Sequence, residues 1–126
     1  QWTLEGICDS WASFPAARDA FLADLDARGV EGLVLLSGDI HRSEVRLIER
    51  AGSYAIPELT SSPLGNVRSS CGAADPERSF CIDDDTSYLV VDVDPGAADP
   101  TLTVRVRDGS GALRHEQTFL RSALAP

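Results

Sequence analysis

Hydrophobic residues recur at three- and four-residue intervals early in the chain, at Phe14, Ala17, Phe21, Leu22 and Leu25, with Asp19, Asp24 and Asp26 between them. This spacing predicts an amphipathic helix over about Pro15 to Arg28, with one side buried and the aspartates outward. Ser13 is placed to cap it, Pro15 falls in the first turn where a missing N–H costs little, and Gly29 is the stop. Val30 to Ser37 is apolar without alternation, the pattern of a strand covered on both faces, so helix and strand together form half of an α/β crossover. Alternation appears in Glu44 to Glu49, where Val45 and Leu47 sit among charged neighbours. Tyr54 to Leu59 is another strand, and Pro57 marks it as an edge or bulged one.

Thr60 to Thr86 is rich in Ser, Gly, Pro and Asp and reads as a long loop. Beyond it Tyr88 to Val93, Leu102 to Val106 and Leu113 to Phe119 are strand candidates, separated by the turn signals DPGAADP and DGSG, the second suited to a hairpin. They predict an antiparallel meander. No repeat, low-complexity tract or linker divides the chain, and 126 residues suffice for one core. A single domain is expected: residues 1–62 as helix, strand and site loop, 63–85 as the long loop, and 86–126 as the terminal strands.

A hydrophobic content of 43% is that of an ordinary globular sequence, and no apolar run approaches the roughly 20 residues of a membrane helix. The net charge of −9 argues against a nucleic-acid-binding surface, because such binding relies on clustered cations and the 11 basic residues, all Arg, are scattered. Phosphate chemistry remains open to an acidic protein when bound cations supply the positive charge. With no Met and no signal-peptide pattern at its start, the sequence is expected to be processed or to be part of a longer chain. Of the three cysteines, Cys71 and Cys81 flank a polar loop and can pair in an oxidising compartment, whereas Cys8, with no His nearby in sequence, is a poor nucleophile.

Candidate chemistry concentrates where the first strand ends, in Ser37-Gly38-Asp39-Ile40-His41. Ligand sites of α/β sheets lie beyond the carboxyl ends of strands. Carboxylate oxygen suits hard cations and imidazole suits iron, manganese or zinc, so an Asp-x-His pair there is either a metal-ligand pair or a turn built from two turn-tolerant residues. Arg42 either steadies a substrate anion or is solvated; Glu44 either orients His41 from behind or faces outward on its strand. Asp83, Asp84 and Asp85 lack the glycine and terminal glutamate of a calcium loop and read as a solvated acidic loop, and His115 reads as an exposed strand residue.

The segments DSWASFPAARDAFL, LVLLSGDIHRSEV and IPELTSSPLG, in this order, together with the closing SYLVVDVD and DPTLTVRVRDGSG, resemble the carboxyl-terminal part of the PhoD-like (alkaline phosphatase D) family of calcineurin-like metallophosphoesterases. The resemblance covers nearly the whole chain and rests on Asp9, Trp11, Pro15, Arg18, Ser37, Gly38, Asp39, His41, Leu59, Thr60, Ser61 and Ser62. It implies an α/β fold, the carboxyl-terminal half of a metallophosphoesterase β-sandwich flanked by helices and ending in the β meander. The implied activity is metal-dependent hydrolysis of small-molecule phosphate mono- or diesters. Asp39 and His41 would be ligands of a two-metal centre, of iron and calcium or of manganese or zinc.

Asp9 and Trp11 would line the substrate cleft, with Trp11 alternatively a staple on the first helical turn. Arg18 would contact phosphate or else pair with Asp19 or Asp24 on the helix surface. The family's other metal ligands belong to an amino-terminal half not present in this sequence. The isolated chain is therefore expected to be catalytically incomplete, to need that half as partner, and to leave an open sheet edge. Family members are often exported, which a Cys71–Cys81 bridge fits. The rival reading is a non-catalytic binding or structural subunit that kept the fold and lost the metals.

Overall fold

The structure, a computed structural model, describes residues 10–125; Asp9 and Cys8 lie outside that range. It is a mixed α/β arrangement of one helix and two mostly antiparallel sheets that do not close on each other. A 3-10 turn, Trp11–Ser13, precedes α1 (Pro15–Ala27). The first sheet holds β1 (Leu35–Ser37), β2 (Ser43–Ile48), β3 (Ile56–Thr60) and β4 (Arg78–Ile82) in the order β1-β3-β2-β4, with only the β1–β3 pair parallel. The second holds β5 (Ser87–Asp94), β6 (Thr101–Asp108) and β7 (Leu113–Leu120), an antiparallel meander in chain order, followed by a 3-10 turn at Arg121–Leu124.

The helix ends as expected but begins differently. Gly29 adopts φ 61°, its N–H donates to the Asp26 carbonyl and the Val30 N–H to that of Leu25, the paired bonds that close a helix on a left-handed glycine. At the other end Ser13 belongs to the 3-10 turn, and Phe14 is the N-cap without a side-chain bond. Phe21, Leu22 and Leu25 are partly buried against the core while Phe14 and Ala17 are exposed, so no residue of α1 is fully buried and the packed stripe starts a turn later than the spacing suggests. Trp11 lies over this stripe, its ring centroid 5.6 Å from that of Phe21.

Strand alternation sorts the first sheet into two faces. Val45, Leu59 and Phe80, opposite one another across three strands, face the second sheet, where Val104, Val106 and Phe119 complete the core. The sandwich is fastened at the β4–β7 corner: Phe80 stacks on His115 at 4.4 Å between centroids and 9° between planes, and Ser79 Oγ donates to Gln117 Oε1 at 3.2 Å. His115 is thus a packing residue between sheets and not an exposed one.

Three further expectations are corrected. The apolar run from Val30 is a strand only over Leu35–Ser37, and it is not covered on both faces, because β1 is the sheet's edge and Leu36 is 72% exposed. Pro57 does not mark an edge, since β3 lies between β1 and β2. Leu47, facing Pro57, donates its N–H to Glu77 on the β4 side, so the pair is a non-hydrogen-bonded one and β2 needs no N–H from Pro57; pairing to β1 starts only at Glu58. The long loop expected over Thr60 to Thr86 contains β4, five residues without an alternating polar and apolar pattern.

Cys71 and Cys81 are bridged, Cα to Cα 6.1 Å, tying the loop before β4 to that strand. Closing a loop of this length restricts the unfolded chain by about 3 kcal/mol. Replacing both cysteines by serine should lower the urea-unfolding free energy by roughly that amount, and an unchanged midpoint would show that the bridge does not constrain the unfolded chain.

The DGSG hairpin is organised by Asp108, whose Oδ1 accepts from Ser110 Oγ at 2.6 Å and from the amides of Ser110 and Ala112, both at 3.0 Å. The Ser110 hydroxyl, then the two amides and Arg114, hold its carboxyl below the ordinary carboxylate range. The folded state therefore releases this proton more readily than the unfolded one, so the turn's contribution is complete above the unfolded pKa of ~3.9 and is lost as pH falls through the lower folded value. In Ser110→Ala the titration of Asp108, followed by NMR, should move upward.

Candidate functional site

The site grows from a turn that the sheet forces tight. After Ser37 the chain passes Gly38, where a Cβ would stand 3.3 Å from the Ser61 carbonyl oxygen, so the smallest residue suits the approach. Ser61 N–H donates to the Ser37 carbonyl at 3.0 Å, continuing the β1–β3 pairing past the strand ends. Asp39 and His41 then take left-handed conformations, φ 72° and 60°, with buried Ile40 between them as the anchor. Asp39 is exposed and His41 half-buried. Asp and His are among the non-glycine residues seen in that region, where strain costs about 1–3 kcal/mol per residue.

A second segment clasps the turn. His41 donates its backbone N–H to Ser62 Oγ at 3.2 Å, while its carbonyl accepts from Ser69 N–H at 2.8 Å. Ser62 exchanges bonds with Ser43, N–H to Oγ and Oγ–H to carbonyl, each 3.1 Å. Ser87 at the start of β5 reaches Ser43 Oγ at 2.8 Å, so the second sheet is pinned to the same cluster. The Ser-Gly-Asp-x-His and Thr-Ser-Ser segments, far apart in sequence, are thereby one structural unit. From the long loop Asn66 brings its amide nitrogen to 3.3 Å from His41 Nε2. Sequence reasoning missed Asn66, which sits in an aperiodic polar stretch with no pattern to mark it.

The other candidates fall elsewhere. Glu44 does not reach His41: it is 1% exposed, with Oε2 3.1 Å from Arg42 Nε and Oε1 3.0 Å from Arg46 Nε, and Arg78 NH1 3.8 Å away. Neither expectation for it holds, because the charged side of β2 is covered. Arg42 is likewise buried, and besides Glu44 it binds the Ser70 carbonyl at 3.2 Å, so it is neither solvated nor free for a substrate anion. Arg46 continues to Asp75, with Glu77 4.0 Å away, and three guanidiniums (Arg42, Arg46, Arg78) meet three carboxylates (Glu44, Asp75, Glu77). Arg18 pairs with neighbouring Asp19 at 3.3 Å on the helix surface.

The acidic run at Asp83 keeps Asp84 exposed, as expected of a solvated loop, and each of its carboxylates also has a partner. Asp83 accepts from Cys71 N–H at 2.6 Å, Asp84 meets Arg114 at 2.9 Å, and Asp85 accepts from Thr86 N–H at 2.7 Å. The hydrogen bond from Arg114 holds the Asp84 carboxyl below its usual range. Among the described residues no three His, Cys, Asp or Glu side chains gather as a metal cluster, and no helix is long and apolar enough to cross a membrane. Comparison with protein-family profiles, curated proteins and solved structures gives no match for the chain.

Removing one partner of a buried ion network leaves the others uncompensated, at about 3–5 kcal/mol. Glu44→Ala should therefore be destabilised by that order in chemical denaturation, far beyond the effect of Glu49→Ala on the exposed end of the hairpin. Equal losses for the two would deny Glu44 its central role.

Proposed function

We propose that the chain is part of a metal-dependent phosphoester hydrolase of the PhoD-like kind, to which Asp39 and His41 each contribute a metal ligand. The observation that carries this reading is the strained turn itself: both residues hold φ above 60° or at it, beyond the carboxyl end of β1, on a backbone fixed by Ser61, Ser62 and Ser69. Strain of this kind collects at functional sites, where surrounding structure over-determines it. In kind the donors fit a metal, a carboxylate and an imidazole two residues apart in sequence; in number they do not fill a two-ion centre, whose ions need four or more ligands each. The reading thus requires further ligands from outside residues 10–125.

When bound, a pair of metal ions would polarise the phosphoryl group and lower the pKa of a bound water. This chain's part is to present Asp39 and His41 on a rigid turn, with half-exposed Trp11 and Asp9 at the amino-terminal end as candidate cleft residues. Arg42 and Glu44, locked in their own network, have no direct role. An exported protein accords with the Cys71–Cys81 bridge. The second reading, a non-catalytic subunit, is favoured by the Asn66 amide resting on His41 Nε2.

Elemental analysis of the intact protein, with hydrolysis of a nitrophenyl phosphate and the corresponding bis-ester, separates the two. Asp39→Ala and His41→Ala should lose bound metal and drop the rate by more than the ~10–100-fold typical of a residue that only supports a ligand. Intact protein free of metal and inert toward both esters would establish the non-catalytic reading.

A further inference from the structure

We propose that Asn66 is a positioning residue that fixes the tautomer of His41, keeping the proton on Nδ1 and the lone pair on Nε2. The argument starts with the orientation of the Asn66 carboxamide. Its Oδ1 accepts from the Val67 N–H at 2.7 Å, so the oxygen faces Val67. The Nδ2 group then faces His41 Nε2 at 3.3 Å. An amide NH₂ only donates, so Nε2 must accept, and in a neutral imidazole the proton then resides on Nδ1.

Both partners are mounted on one frame. His41 is held through its own N–H and carbonyl by Ser62 and Ser69, which flank Asn66 in sequence. The loop carrying Asn66 is held beyond Ser69 by Arg42 on the Ser70 carbonyl and by the Cys71–Cys81 bridge, and Arg68 donates to the Asp84 carbonyl at 2.8 Å. The backbone segments that carry ring and amide are therefore tied to one another. The Asn66 N–H occupies the Nε2 lone pair, so on the metal-ligand reading of His41 the arrangement withholds Nε2 from a metal until the amide turns away, and this consequence rests on that reading. The tautomer itself does not depend on that reading.

The test is long-range proton–nitrogen NMR on the ¹⁵N-labelled, chelator-treated protein at about pH 9, above the ordinary imidazole pKa of ~6.5. His115→Gln serves to distinguish the two histidines, and the exposed position of Asn66 leaves its variants able to fold. In the unaltered protein Nε2 of His41 should show the downfield shift of a bare nitrogen and Nδ1 that of a protonated one. Asn66→Ala should shift the population toward the Nε2–H form that predominates in free histidine. Asn66→Asp, whose carboxylate accepts only, should reverse the pattern outright. An Nε2–H ring in the unaltered protein, or one pattern shared by all three proteins, would overturn the proposal. Because metal is absent throughout, a failed metal centre leaves these outcomes untouched, and an unfixed tautomer leaves the metal analysis untouched.

Discussion

The carboxylate of Glu44, enclosed by three arginines, is the interaction on which the covered face of the first sheet depends. Putting such a charge out of water costs several kcal/mol unless its oxygens are fully engaged. Arg42 and Arg46 take one oxygen each; Arg42 Nη1 also donates to the Ser70 carbonyl and Arg46 Nη2 to Asp75, while Arg46 Nη1 is buried without a hydrogen-bond partner among the described residues; Arg78 reaches the carbonyls of Cys71 and Ala73, both at 2.5 Å. The loop before β4 has little apolar reason to lie where it does, since Leu64 and Val67 point to solvent. It lies there because the guanidiniums need acceptors, and the disulfide closes its far end.

This polar scaffold bears on the site through the backbone. The loop that satisfies the arginines also brings Ser69 and Asn66 to His41, and the serine cluster of Ser43, Ser62 and Ser87 joins the site turn to both sheets. Asp39 and His41 thus sit on a turn whose dihedrals are set by neighbours on two sides, while Ile40 anchors it from below. Strained residues persist where the surroundings over-determine them, and here the determining contacts can be named one by one.

The parts legible in the sequence are those that local physics dictates. Gly29 stops the helix because a left-handed residue must follow it. Val104 and Val106 alternate with Thr103, Arg105 and Arg107 because one face of β6 is core, and DGSG turns because Asp108 can bind the amides beyond it. What was not legible came from partners remote in sequence. Alternation on β2 separates Glu44 and Arg46 from Val45 but does not reveal that a loop some 30 residues on will bury the charged side. Pro57 signals a missing donor, not that its register tolerates one. His115, flanked by Arg114 and Glu116, gives no hint of Phe80 across the sandwich. In the site, Asp39 and His41 stand out by type and position, whereas Ser62, Ser69 and Asn66 are ordinary polar residues until the fold brings them together.

The order β1-β3-β2-β4 places the third strand in sequence between the two that precede it. A hairpin-like encounter of β1 with β2, the cheapest contact to reach by loop closure, is therefore non-native and has to separate before β3 can insert. During synthesis the emerging chain would pass through a stage in which β1 and β2 await β3 and the Asp39–His41 turn lacks the segment that clasps it. That turn acquires its geometry only when the Thr60–Ser62 segment is docked, which ties the correctness of the Asp39–His41 corner to insertion of β3.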